Sequence, residues 1–122
     1  MANDFKRFTV SSATTSTGSS ADALYTVPSG GSSAALESIV IGITLANKTS
    51  AGITGSIYLD GYDGTDTYIV KDATIPAGSS LEVMAGNKLV VQNSGSGAGD
   101  VIRVSSGTAT ALDATISVLE DV

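Results

Sequence analysis

Apolar residues alternate with polar ones along almost the whole chain after residue 22. Ile39 to Leu45 and Leu112 to Val118 place aliphatic side chains at nearly every second position. Successive side chains of a β-strand point to opposite faces, so a period of two predicts strands with one buried face. Shorter alternating runs lie at 23–27, 53–59, 67–71, 81–83, 89–91 and 101–104. No run keeps helical spacing over the ten or so residues that a helix needs.

Turn-forming residues separate these runs, at 28–31, 47–48, 60–66, 76–80 and 94–99. Short β-branched segments bounded by Gly, Pro, Ser, Asn and Asp are typical of antiparallel sheets. We therefore predict an all-β fold, an antiparallel β-sandwich of about eight strands with jelly-roll or Ig-like topology, over residues 23–122. A chain of 122 residues is long enough to bury a core of its own.

Residues 1–22 are expected to lie outside that domain. Residues 11–20, SSATTSTGSS, have no apolar periodicity and are interpreted as a flexible connector. The preceding segment contains the only two Phe residues of the chain next to a Lys-Arg pair. We consider two alternatives for it: a frayed end or edge strand, and an arm that becomes ordered on a neighbouring subunit. In the second case the contacts would come from Phe5, Lys6, Arg7 and Phe8.

Composition argues against several classes of function. The chain has no cysteine and no histidine, so it lacks disulfides, thiolate metal ligands and the commonest general base. Twelve acidic residues against six basic ones give a net charge of −6, which argues against nucleic acid as a partner. No apolar stretch is long enough to span a bilayer, and the first residues do not read as a secretory signal. We expect a soluble, non-enzymatic protein with no membrane partner and no cofactor.

The segment DGYDGTD at 60–66 is the best candidate for a binding site. Asp60, Asp63 and Asp66 could supply oxygen ligands to Ca²⁺, although their spacing differs from that of an EF-hand. The alternative is a hairpin loop, in which Asp-Gly pairs are favoured. Tyr62 and Asp63 would then be exposed loop contacts. Tyr58 and Tyr68 fit as a cross-strand pair that stabilises the hairpin.

Two other short motifs are interpreted as structural. In TIPAGSSLEVM, Pro76 ends a strand, Gly78 supplies a turn and Leu81 re-enters the core, so that Glu82 points toward solvent or a neighbouring subunit. The triplet Asn47-Lys48-Thr49 matches the N-glycosylation pattern, but we regard this match as accidental. No catalytic or metal-binding residue is assigned.

Three segments resemble small virion structural proteins of tailed bacteriophages, which recur in marine phages and cyanophages. They are IVIGITLANKTSAGITGSIYLDG, YIVKDATIPAGSSLEVMAGNKLVVQ and GDVIRVSSGTATALDATISVLEDV. The resemblance covers about residues 36–122, and its motifs are those of strands and turns.

The resemblance implies a capsid decoration or cement protein that binds and stabilises the head lattice. It further implies a homotrimer, located in the virion after synthesis in the host bacterial cytoplasm, with the major capsid protein or other virion proteins as partners. The alternative is a tail, neck or fibre component with an adhesion or attachment role, such as carbohydrate binding. A Ca²⁺-dependent carbohydrate-binding module is a third hypothesis.

Overall fold

The computed structural model describes residues 3–28, 37–84, 88–94 and 99–121, and these residues form nine β-strands and one 3-10 helix, Gly18–Ser20. The strands are β1 (Asn3–Val10), β2 (Asp22–Thr26), β3 (Glu37–Asn47), β4 (Ile53–Asp60), β5 (Asp66–Ile75), β6 (Ser80–Glu82), β7 (Leu89–Gln92), β8 (Val101–Ser106) and β9 (Leu112–Asp121). Within these ranges, no helix has the length and apolar character that crossing a membrane requires. The predicted turns at 28–31 and 94–99 fall mostly outside the described residues.

The strands form two antiparallel sheets. The five-stranded sheet has the order β1-β9-β3-β6, with β7 also paired to β3, and the four-stranded sheet has the order β2-β8-β4-β5. The two sheets enclose one hydrophobic core, so the prediction of an all-β antiparallel sandwich is confirmed.

The core consists of the inward-facing half of the alternating pattern. Along β3, Val40, Ile43 and Leu45 are fully buried, while the outward positions between them are at least partly exposed. Ile116 of β9 and Ile102 of β8 are fully buried in the same core, one from each sheet. Burying each such side chain stabilises the fold by about 1.5–3 kcal/mol.

Residues 3–22 pack on the sandwich in the structure. β1 pairs with β9 along its whole length, from Asn3 opposite Asp121 to Val10 opposite Ala114. This arrangement corresponds to the edge-strand alternative for the N-terminal segment.

The Ser/Thr-rich tract differs from the flexible connector that its composition suggests. The Ala13 amide donates a 2.8 Å hydrogen bond to the Leu112 carbonyl, and the Ser106 amide donates one of 2.9 Å to the Thr14 carbonyl. Ala13 is only 1% exposed. Backbone hydrogen bonds and one small buried side chain hold the tract in place. Neither kind of contact requires regularly spaced apolar residues, so the sequence shows no periodic pattern there.

The chain passes from one sheet to the other at the corner 76–79. Gly78 has a φ of +65°, a conformation that favours glycine, and the Ser79 amide donates a 3.1 Å hydrogen bond to the Pro76 carbonyl. Leu81 then pairs with Leu45 of β3. The corner therefore has the structure that its sequence predicts.

Candidate interaction surfaces

The two groups of predicted contact residues lie on different sheets. Residues 5–8 belong to β1, at the edge of the five-stranded sheet. Tyr62 and Asp63 lie in the hairpin between β4 and β5 of the four-stranded sheet. They therefore belong to two separate surfaces.

Strand alternation divides the residues of β1 between the two faces of the sheet. Lys6 lies opposite the buried Val118, and Phe8 lies opposite the buried Ile116. Directly opposite residues of paired strands share a face, so Lys6 and Phe8 point inward. The centroids of the Phe8 ring and the Tyr25 ring of β2 are 5.0 Å apart. This contact links the edges of the two sheets.

A buried polar cluster lies beneath Lys6. Glu120 is 2% exposed, and its Oε1 lies 3.0 Å from Lys6 Nζ. The Tyr25 hydroxyl donates a 2.5 Å hydrogen bond to Glu120 Oε2 and lies 2.8 Å from Ser38 Oγ. Burial, together with this hydrogen bond to the Glu120 carboxylate, raises the pKa of Tyr25 well above its ordinary value. The cluster joins β1, β2, β3 and β9, so Lys6 has a structural role at this edge.

This buried polar cluster was not predicted, although the sequence contains one indication of it. Glu120 follows Ala114, Ile116 and Val118 at the same spacing of two, so it occupies an inward position in β9. A carboxylate at a position where the pattern calls for an apolar side chain indicates a buried polar partner.

Phe5, which points outward from β1, belongs to a row of apolar side chains across the sheet. Phe5 pairs with Leu119, Leu119 pairs with Ile39, and Ile39 pairs with Val90 of β7. We call these four residues the outer apolar row. Phe5 is 78% exposed and Val90 is 57% exposed. The row thus presents apolar surface to solvent across β1, β9, β3 and β7.

The 60–66 segment forms the hairpin that was one of its two predicted alternatives. The Gly61 amide donates a 3.1 Å hydrogen bond to the Thr65 carbonyl, and the Thr65 amide donates one of 2.9 Å to Asp63 Oδ1. Gly64 has a φ of +86°, which favours glycine at this turn. Asp63 therefore caps the turn, while the Tyr62 side chain is 42% exposed.

The other acidic residues near the hairpin also have protein partners. Arg103 Nε donates a 2.9 Å hydrogen bond to Asp60 Oδ2. Asp100 accepts hydrogen bonds from the amides of Tyr62, at 3.0 Å, and Gln92, at 2.9 Å. In the part of the chain that the structure describes, no group of three or more carboxylates is placed to hold a metal ion.

The predicted tyrosine pair is confirmed. Tyr58 of β4 lies opposite Tyr68 of β5, and their rings meet edge to face with centroids 5.0 Å apart. Lys71 Nζ lies 5.6 Å from the centre of the Tyr68 ring. These contacts stabilise the hairpin on the outer face of the four-stranded sheet.

Asn47 has a structural role that its sequence context did not reveal. Its side chain is buried, and Nδ2 lies 2.7 Å from the Ala51 carbonyl, 3.0 Å from the Ile75 carbonyl and 3.2 Å from the Pro76 carbonyl. Oδ1 accepts a 2.9 Å hydrogen bond from the Thr49 amide. The amide thus joins the turn after β3 to the corner after β5, and the glycosylation-like triplet is part of this joint.

Comparison with known proteins gives no relative for this chain. No protein-family model, curated protein or solved structure matches it. The described surfaces and the resemblance of the strand and turn segments are therefore what indicates a function.

Proposed function

We propose that this chain is a non-enzymatic structural protein of a tailed-bacteriophage particle, acting as a decoration protein on the head. The resemblance to small virion proteins supports this proposal, and it falls on β3 to β9, the strands and turns of the scaffold. The major capsid protein or other virion proteins are the proposed partners.

The strand order supports the jelly-roll alternative of the predicted topology. If β6 and β7 count as one strand because both pair with β3, the pairs are nested: β1 with β9, β2 with β8, β3 with β6 and β7, and β4 with β5. Nested antiparallel pairs wound across two sheets make a jelly roll, which is common in viral capsid domains. A shared fold is compatible with a capsid-associated protein, but many functions occur on one fold. The role must therefore be inferred from the surfaces.

The observation that carries the proposal is the outer apolar row. Phe5 and Val90 are more than half exposed at opposite ends of it. Contiguous exposed apolar side chains on an otherwise polar protein mark interaction surfaces. A protein whose role is attachment needs such a surface and no reactive group.

Purified phage particles provide the test. Mass spectrometry of the mature particles should detect this chain in many copies, and cryo-electron microscopy should place its density on the outside of the head. A non-structural phage protein from the same lysate serves as the control and should be absent. Absence of this chain from mature particles would contradict the proposal.

A tail, neck or fibre component is the second candidate, because Tyr62 is exposed at the end of the β4–β5 hairpin. Immunolabelling of the tail, together with glycan binding that Tyr62→Ala abolishes, would favour it.

Calcium should leave the melting temperature of the protein unchanged, because Asp63 already caps the turn. A rise that Asp63→Ala removes would instead support the calcium-dependent module.

A further inference from the structure

The outer face of the five-stranded sheet has the composition of an interface centre. Besides the outer apolar row, Ile41 is 40% exposed at the bulge between Val40 and Gly42. The central outward positions of the two middle strands carry no charged side chain: Thr115, Ser117 and Leu119 on β9, and Ile39, Ile41 and Thr44 on β3. Depletion of charge at the centre is typical of protein interfaces.

Opposite charges lie toward the two sides of this face. Arg7 of β1 is exposed and lies opposite Ser117 of β9, which in turn lies opposite Gly42 of β3. On the far side, Glu82 of β6 is exposed, and its Oε2 lies 3.2 Å from the position that a Cβ on Gly42 would occupy. Arg7 and the Glu82 carboxylate therefore belong to the same row across the sheet, with two strands between them.

We propose that a second copy of this chain binds face to face on this surface, with a two-fold axis parallel to the strands. Rotation about that axis exchanges the two edges of the sheet, so β1 of one copy lies over β6 and β7 of the other. Phe5 then packs on Val90 of the second copy, and Arg7 faces Glu82 of the second copy. Sheets stack in this way at about 10 Å separation with their strands roughly aligned.

The size of the face is sufficient for a concentration-dependent dimer. Because β6 and β7 both lie beside β3, the face is four strands wide. Four strands spaced by about 4.8 Å, each with about eight residues at about 3.3 Å per residue, give a face of ~500 Å² on each copy. Two such faces bury ~1,000 Å², near the lower bound for a specific interface. A two-fold contact uses the same patch on both copies and closes at two. This surface therefore argues for a dimer, in contrast to the trimer that the phage resemblance implies.

Sedimentation velocity of the full chain tests the surface without any particle. The wild-type protein should show a monomer–dimer equilibrium over a wide concentration range. Val90→Lys places a charge in the apolar row and should weaken the dimer at least about ten-fold. Tyr62→Lys makes the same kind of change at a similarly exposed residue on the other surface and should leave the equilibrium unchanged. Circular dichroism checks that each variant is folded.

A charge exchange tests the orientation and the identity of the partner. Arg7→Glu or Glu82→Arg alone should weaken the dimer by about ten-fold, because each dimer contains two such pairs and an exposed pair contributes a few-fold. The double variant keeps the wild-type net charge and should recover most of the affinity. Lys71→Glu, on β5 of the other sheet, controls for net charge alone.

Three results would overturn the proposal: a monomer at every concentration, a trimer, or a double variant no tighter than the single ones. A monomeric chain that binds particles through the outer apolar row would assign this face to a capsid protein. The decoration role would then survive without the dimer. Conversely, a dimer in solution with no chain in the virion would leave this inference intact and reject the decoration role.

Discussion

Asn47 shows how one buried amide joins distant turns. It contacts the carbonyls of Ala51, Ile75 and Pro76 from the end of β3. The Ala51 carbonyl lies in the turn after β3, and those of Ile75 and Pro76 lie at the start of the corner that leads from one sheet to the other. The position of the corner therefore depends on a side chain almost thirty residues earlier in the sequence.

We predict that Asn47→Ala destabilises the protein by about 1–3 kcal/mol, because buried carbonyls lose their donor. Urea unfolding followed by circular dichroism measures the change. Asn47→Asp keeps the volume but removes the amide donor, so it should cost at least as much. Ser50→Ala in the same exposed turn should stay within about 0.5 kcal/mol of wild type. An equal effect of both alanine variants would contradict the role assigned to Asn47.

The pH dependence of stability is expected to include a contribution from Asp113. Lys48 Nζ lies 2.9 Å from Asp113 Oδ1, and the Ser12 amide donates a 2.9 Å hydrogen bond to the same oxygen. These two partners, Lys48 foremost, lower the pKa of Asp113 below its ordinary 3.8. The unfolded chain then binds the proton more readily than the folded one, so this contribution is complete above pH 3.8 and disappears as the pH falls through the folded-state pKa.

Asp113→Asn should therefore lower the melting temperature at neutral pH and have little effect in strong acid. The loss should be below about 1 kcal/mol, because both side chains are partly exposed and solvent screens the pair. Thermal melts over a pH series measure it. If the difference between Asp113→Asn and wild type stayed constant into strong acid, the carboxylate would not be the cause. Lys48→Met should reproduce most of the loss at neutral pH.

At the scale of elements, β1 combines two roles in alternate residues. Phe8 points inward and packs on Tyr25, whereas Phe5 points outward and is 78% exposed. The strand both closes the edge of the sandwich and supplies one end of the outer apolar row.

Exchanging each phenylalanine for alanine should separate these roles. Phe8→Ala removes a partly buried aromatic contact and should reduce the free energy of unfolding by about 1–2 kcal/mol. Phe5→Ala should change the free energy of unfolding of the monomer by less than about 0.5 kcal/mol but weaken the dimer. Chemical unfolding at low protein concentration measures the first effect, and sedimentation measures the second. Equal stability of the two variants would indicate that β1 is detached in solution.

Individual strands and the hairpin of β4 and β5 could be predicted from local patterns, but partners distant in the sequence could not. The runs at 53–59 and 89–91 match β4 and β7 within one residue, because alternation and turn chemistry are local properties. Pairing of β1 with β9 joins opposite ends of the sequence, and no local pattern encodes it. The outer apolar row depends on the register of four strands, so the prediction for β1 named Phe5 but could not name Leu119, Ile39 or Val90.

At the scale of the whole molecule, the dimer should make thermal stability depend on protein concentration. Association that favours the folded state raises the melting temperature as concentration increases. Differential scanning calorimetry of wild-type protein should show this rise, and with Val90→Lys the same rise should need at least about ten-fold more protein. A wild-type melting temperature that does not change with concentration would contradict the dimer.

The nesting of β1 against β9 also affects how the chain can fold during translation. β1 pairs over its whole length with β9, which is synthesised after the other strands that the structure describes. At elongation rates of about 5–20 residues per second, β9 follows β1 by about 5–20 s. During that time the inward side chains of β1 lack their partner strand, and the five-stranded sheet cannot be completed. β9 must therefore be synthesised and leave the ribosome before the five-stranded sheet can reach its native state.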